Sequence, residues 1–251
     1  MKNHLIMKNH LSASAWKRLN ECSASQIAID KGEYSFPATK PMLIGSYVDA
    51  YFSGTIDEFK QKNENVLFKK DGSLYSDFKL AEYLVQNIEK DPLFKKYMSG
   101  DVQKEVSGII GEAEWRGKID IYHDVAIVEL KVVADLYTRV WDNYQKCYIH
   151  FTEAYGYDIQ ATVYQELIRQ ETGKNLPVFL AMITKQSPPD KAIVEVPQER
   201  MDKILSDLIS DSKRILNIRN GSVDAVRCER CDYCRGTKVL TETISLYDLL
   251  H

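Results

Sequence analysis

Apolar residues along the chain change their period several times, and each change predicts an element. Over residues 12–31, Trp16, Leu19, Cys22 and Ile27 recur at near-helical spacing behind Ser12 or Ser14 as N-cap, which predicts a helix packed on the core. Ile44, Val48, Tyr51 and Phe52 share one face of a second helix over 43–52, with Asp49 beside that apolar stripe. Leu80, Leu84 and Ile88, at steps of four, predict a third over 76–90 that ends before Pro92. From 102 to 133 the period drops to two, in a segment rich in Val, Ile, Tyr and Trp. Breaks at Gly111 and at His123-Asp124 make this a three-stranded antiparallel meander. Helical spacing returns over 140–172, broken near Gly156, and is followed by strands at 177–184 and 192–196 on either side of a Ser-Pro-Pro turn. A last helix over 198–219 turns Met201, Ile204, Leu205, Leu208, Ile215 and Leu216 inward. The order predicts an α/β fold with a mixed central β-sheet flanked by helices.

A length of 251 residues, 44% of them hydrophobic, suffices for one sizeable core, so a single domain is expected over 12–251. Residues 1–11 carry a direct repeat, MKNHLI then MKNHLS, and read as a flexible leader. No apolar run approaches the ~20 residues that cross a bilayer, and the N-terminus lacks the apolar stretch of a secretory signal. The expectation is a cytoplasmic protein without membrane contact. A net charge of −3 gives no overall attraction to nucleic acid, so such a partner would need a local basic groove.

The chemistry concentrates in Gly117–Lys131, GKIDIYHDVAIVELK. Asp120 ends one strand, and Glu129 and Lys131 lie on the next, on one face because side chains alternate, while Leu130 points the other way. Two converging carboxylates repel unless a cation sits between them, and hard oxygen ligands favour Mg²⁺ or Mn²⁺. A lysine beside such an ion can orient a water or offset charge on a phosphate.

Asp120, eight residues and then Glu129-Leu130-Lys131 resemble the core motif of the PD-(D/E)XK nuclease superfamily. Gln160 and Tyr164, one helical turn apart, resemble the Q-x-x-x-Y motif of the branch containing the RecB nuclease domain and the phage recombination exonucleases. Gly45 to Asp49 resembles an upstream helix on which relatives often place His; this chain has Asp49, to which the resemblance carries a metal-ligand role. Glu105 resembles a family glutamate near the site, and equally reads as a solvated edge-strand charge. The likeness spans roughly 11–238 and implies the restriction-endonuclease-like core. It also implies metal held by Asp120, Glu129 and the Leu130 carbonyl, with Lys131 positioning the nucleophile. The implied activity is digestion of linear double-stranded DNA from 5′ ends, leaving 3′ strands for a single-strand annealing protein, by a ring-shaped trimer or tetramer. The alternatives are a structure- or sequence-specific endonuclease and a non-catalytic DNA-binding module on the same fold.

Among five cysteines, Cys228, Cys231 and Cys234 are closely spaced, which fits a reducing compartment. They read either as soft-metal ligands, for zinc or an iron–sulfur cluster, or as buried thiols. Some RecB-like nucleases join such a cluster to an N-terminal cysteine, and Cys22 stands on the corresponding helix, although the gap before Cys234 is shorter than in that pattern. Trp115 and Arg116 are candidates for stacking on a base and gripping a phosphate, and Arg139 and Lys146 for the basic groove.

Overall fold

The computed structural model describes residues 10–142 and 145–249. Six helices come first: α1 (Ala13–Asp30), α2 (Lys40–Phe52), α3 (Ile56–Lys62), α4 (Glu64–Leu67), α5 (Ser76–Glu89) and α6 (Pro92–Tyr97). Strands β1 (Asp101–Ile110), β2 (Ala113–His123) and β3 (Ala126–Val133) follow as the expected meander. The hairpin β4 (Arg139–Asp142) and β5 (Cys147–His150), then α7 (Phe151–Ala154) and α8 (Tyr157–Thr172), lead to β6 (Val178–Thr184) and β7 (Lys191–Glu195). The long α9 (Gln198–Arg219) and the short α10 (Asp232–Gly236) follow, and a 3-10 turn (Leu246–Leu249) comes last.

One sheet runs β1-β2-β3-β6-β7, antiparallel except for the parallel pair β3–β6, which is the mixed sheet expected. Helices cover both faces. Trp115, Ile119, Ile127 and Leu180 pack against Leu167 and Ile168 of α8 and Leu208 and Ile215 of α9. On the other face Ile121, Val128, Leu130 and Ile183 meet Val48 of α2 and Phe78, Leu84 and Ile88 of α5. Each such fully buried side chain contributes roughly 1.5–3 kcal/mol. Ser12 caps α1 by accepting from the Ala15 N–H, and Thr39 caps α2 in the same way. Among the described residues no helix is long and apolar enough to cross a membrane.

Three expectations need correction. Residues 140–142 and 147–150 lie in the paired strands β4 and β5 instead of opening a helix: Val140 pairs with Ile149 and Trp141 with Tyr148, the rings of the second pair 5.2 Å apart. Cross-strand aromatic and β-branched pairs favour the ladder over helical spacing. Leu11, assigned to the flexible leader, is buried; its N–H donates to Glu114 O and its carbonyl accepts from Arg116 N, bridging it to Trp115. Residues 1–9, with most of the repeat, lie outside the described residues. Finally, α1 is broken at Cys22, which is extended (φ −160°, ψ 92°).

Candidate active site

β2 and β3 pair only from Ile121–Val128 to His123–Ala126 and then diverge. Asp120 and Glu129 stand where the strands part, and their carboxylates take over the hydrogen bonding of the ladder. The Asp120 N–H donates to Glu129 Oε1 at 3.2 Å, and the Leu130 N–H donates to Asp120 Oδ2 at 3.0 Å. The pleat of β2 also shifts phase here, since Ile119 and Tyr122 face one core and Ile121 the other. Opposite Asp120, between the pairs Val102–Ile121 and Lys104–Ile119, Gln103 adopts a left-handed conformation (φ 55°). Its side-chain amide donates to Asp49 Oδ1 at 3.3 Å, so α2 brings a third carboxylate to the fork.

Lys131 Nζ lies 2.9 Å from Glu129 Oε2 and 5.2 Å from the centre of the Tyr157 ring. Burial pushes the fully buried Glu129 up to about 8; the Lys131 ammonium opposes this and Asp120 adds to it. Although burial disfavours the Lys131 ammonium, Glu129 and Asp120 hold it above the ordinary lysine value, so it stays charged. Asp49 is pushed up to about 6, first by burial and then by Asp120. Asp120 thus adds to the proton affinity of both Glu129 and Asp49, and a divalent cation shared among the carboxylates relieves that repulsion. Hard oxygen donors at this density suit Mg²⁺ or Mn²⁺. Asp49, Asp120, Leu130, Lys131 and Lys185 line one cavity of about 700 Å³.

A second cavity, of about 470 Å³, adjoins the first across Tyr155 and Tyr157, which line both. Lys17, Arg18, Arg116 and Lys118 make it basic, and Gln160 and Tyr164 lie on its wall. Gln160 Nε2 donates to Tyr164 Oη at 3.1 Å. Burial, with Glu129 next, pushes the Tyr164 phenol up to about 12. The Tyr164 ring lies so close over Gly117 of β2 that any Cβ there would overlap it.

A family model described as a PDDEXK-like domain of unknown function (DUF3799) matches residues 12–237. The chain belongs to that family. A solved structure from Eubacterium rectale, described as a candidate exonuclease, is 39% identical and superposes with a TM-score of 0.91, covering 96% of this chain and 93% of that one. No curated protein matches the chain.

Within this family frame the fork gathers Asp120, Glu129, Leu130, Lys131 and Asp49, with Gln160 and Tyr164 behind it. Other predicted residues fall elsewhere. Trp115 is buried, its Nε1 donating to Ile110 O at 3.3 Å, because apolar neighbours on both sides leave no open ring face; it is a core residue and not a stacking platform. Glu105 is exposed opposite Lys118 and lines neither cavity, since β1 is an edge strand on which positions 105, 107 and 109 face solvent. Arg139, on β4, and Lys146, just before β5, are exposed and line neither cavity. Arg116 alone of the four predicted DNA contacts lines the basic cavity. Lys17, Arg18, Lys118 and Lys185 escape sequence reasoning because scattered single cations carry no spacing signal. Cys22, Cys228, Cys231 and Cys234, by contrast, come together with all sulfurs within 4.8 Å of one another.

Proposed function

We propose that this chain is a divalent-metal-dependent DNA exonuclease acting on linear double-stranded DNA. The observation that carries the reading is the fork itself, where Asp120, Glu129 and Lys131 are locked together and Asp120, Leu130 and Lys131 open on a cavity shared with Asp49. Asp120, Glu129 and the Leu130 carbonyl would hold Mg²⁺ or Mn²⁺, with Asp49 as a further ligand. Such an ion supplies a water of lowered pKa and counter-charge for the phosphate.

Lys131 is pinned by Glu129 and by the Tyr157 ring, so its ammonium is preorganised to orient the attacking water and meet charge developing on the phosphate. Lys185 adds a second cation to the same cavity. Tyr164, packed on Gly117 and held by Gln160, fixes β2 and hence Asp120. The basic cavity beyond Tyr157 takes the adjoining phosphates, which supplies the local attraction that a net charge of −3 denies the whole molecule.

The relative described as a candidate exonuclease favours end-directed digestion over endonucleolytic cutting. Digestion from 5′ ends, delivery of 3′ strands to a single-strand annealing protein, assembly into a ring-shaped trimer or tetramer and a cytoplasmic setting complete the reading. These points rest on the sequence resemblance. Calorimetric titration with Mg²⁺ tests the site: the wild type should give a binding heat that Asp120→Ala loses, and equal heats would overturn it. Incubation with linear and closed circular duplex separates the modes, since an exonuclease leaves the circle intact.

A further inference from the structure

The cysteine cluster lies outside the carboxylate fork and has its own geometry. Cys22 Sγ is 3.5 Å from Cys234 Sγ and 3.7 Å from Cys231 Sγ, and all four sulfurs lie within 4.8 Å of one another. None is in a disulfide. Four thiolates on one tetrahedral ion at a Zn–S distance of about 2.3 Å stand about 3.8 Å apart, close to the separations here. An iron–sulfur cluster spreads its thiolates over two or more irons, which sets some sulfurs farther apart.

The backbone around the cluster is arranged for thiolates. The Cys231 N–H donates to Cys228 Sγ at 3.3 Å and the Cys234 N–H to Cys231 Sγ at 3.4 Å, bonds that stabilise sulfur anions and orient them as ligands. Glu229, between the first two of these cysteines, takes a left-handed conformation (φ 59°), so the turn is held in a shape that side chains resist. On the other side, α1 gives up its helical path at Cys22. That break frees the Ala24 N–H to donate to Val226 O, while the Val226 N–H donates to Ser23 Oγ at 2.7 Å. The first half of α1, before the break, carries Lys17 and Arg18 into the basic cavity. The break in α1 and the turn at Glu229 together bring the Cys22 sulfur against those of Cys231 and Cys234.

We propose that Cys22, Cys228, Cys231 and Cys234 hold a single tetrahedral Zn²⁺ ion, a structural clamp that fastens the C-terminal segment to the break in α1. With no open coordination position the ion takes no part in hydrolysis. Its effect is to fix the helix that walls the basic cavity, a consequence that rests on the nuclease reading, whereas the site itself does not.

The full chain, expressed with both zinc and iron supplied and purified without oxygen, is analysed for metal and absorbance. One zinc per chain and a colourless solution are expected, and Co²⁺ in place of zinc should give the visible bands of a tetrahedral thiolate site. Iron with absorbance near 400 nm, a metal-free thiol form, or a Cys22–Cys234 disulfide would each overturn the proposal. Because Cys231→Ser could fail to fold, the clamp is read separately on the wild type by amide exchange before and after zinc removal. Residues 22–30 and Val226 should exchange roughly tenfold faster or more without zinc. Unchanged exchange there would overturn the clamp whatever the state of the carboxylate site, which Mg²⁺ binding heat reports independently.

Discussion

Asp120 and Glu129 are tied to each other across the parted strands, the Asp120 N–H donating to Glu129 Oε1 at 3.2 Å. The same carboxylates that would bind the ion therefore replace ladder hydrogen bonds at the point where the sheet opens. Asp120→Ala removes a carboxylate of the proposed ion site and leaves the Leu130 N–H without its acceptor, while both helical layers of the core stay intact. Metal-dependent nucleotide release should fall by on the order of a hundred- to a thousandfold in kcat, with the far-ultraviolet circular dichroism unchanged.

Lys131 and Glu129 form a buried pair, with side-chain exposures of 13% and 1%. Lys131→Ala strands a buried carboxylate, which costs about 3–5 kcal/mol. The loss should be largest with EDTA present and smaller in Mg²⁺, because the cation takes over the compensation of Glu129. Urea denaturation of wild type and variant under both conditions checks this, and an equal loss in the two would contradict a cation beside Glu129.

Gly117→Ala drives a methyl group into the Tyr164 ring. Overpacking of this kind costs roughly 1–3 kcal/mol. Combined with Tyr164→Leu, which vacates that space, the substitution should cost less than the sum of the two single changes, the signature of direct contact. Thermal unfolding of the four proteins measures the coupling.

Neighbours on β2 should separate stability from substrate binding. Trp115→Ala empties a fully buried site and should destabilise by about 3–5 kcal/mol. Arg116 and Lys118 are exposed on the basic cavity, so Arg116→Ala and Lys118→Ala should leave unfolding nearly unchanged. Each should lower the slope of log affinity for duplex DNA against log salt by about one for every phosphate that is no longer neutralised.

The meander, the helices α2, α5 and α9 and the convergence of Asp120, Glu129 and Lys131 are legible in the sequence because each rests on local periodicity or short-range spacing. Asp120 to Lys131 lie on one hairpin, so pleat and register alone bring them together. The β4–β5 hairpin is hidden because Val140, Ile149 and Tyr148 fit a helical spacing as well as an alternating one, and cross-strand pairing decides between them. Trp115 beside Arg116 looks like a stacking pair in sequence, yet alternation sends one to the core and the other to the cavity. The basic cavity draws Lys17 from α1 and Lys118 from β2, a meeting that no local pattern announces. Cys22 joins Cys228, Cys231 and Cys234 as expected, but the break it makes in α1 answers to tertiary hydrogen bonds with Val226.

The most direct test of the central claim is the product pattern on 5′-end-labelled linear duplex with Mg²⁺, for wild type and Asp120→Ala side by side. Early release of labelled mononucleotide by the wild type, no cutting of closed circular duplex, and neither product nor intermediate from the variant are expected. Internal cleavage of the circle, or undiminished release by Asp120→Ala, would contradict that claim.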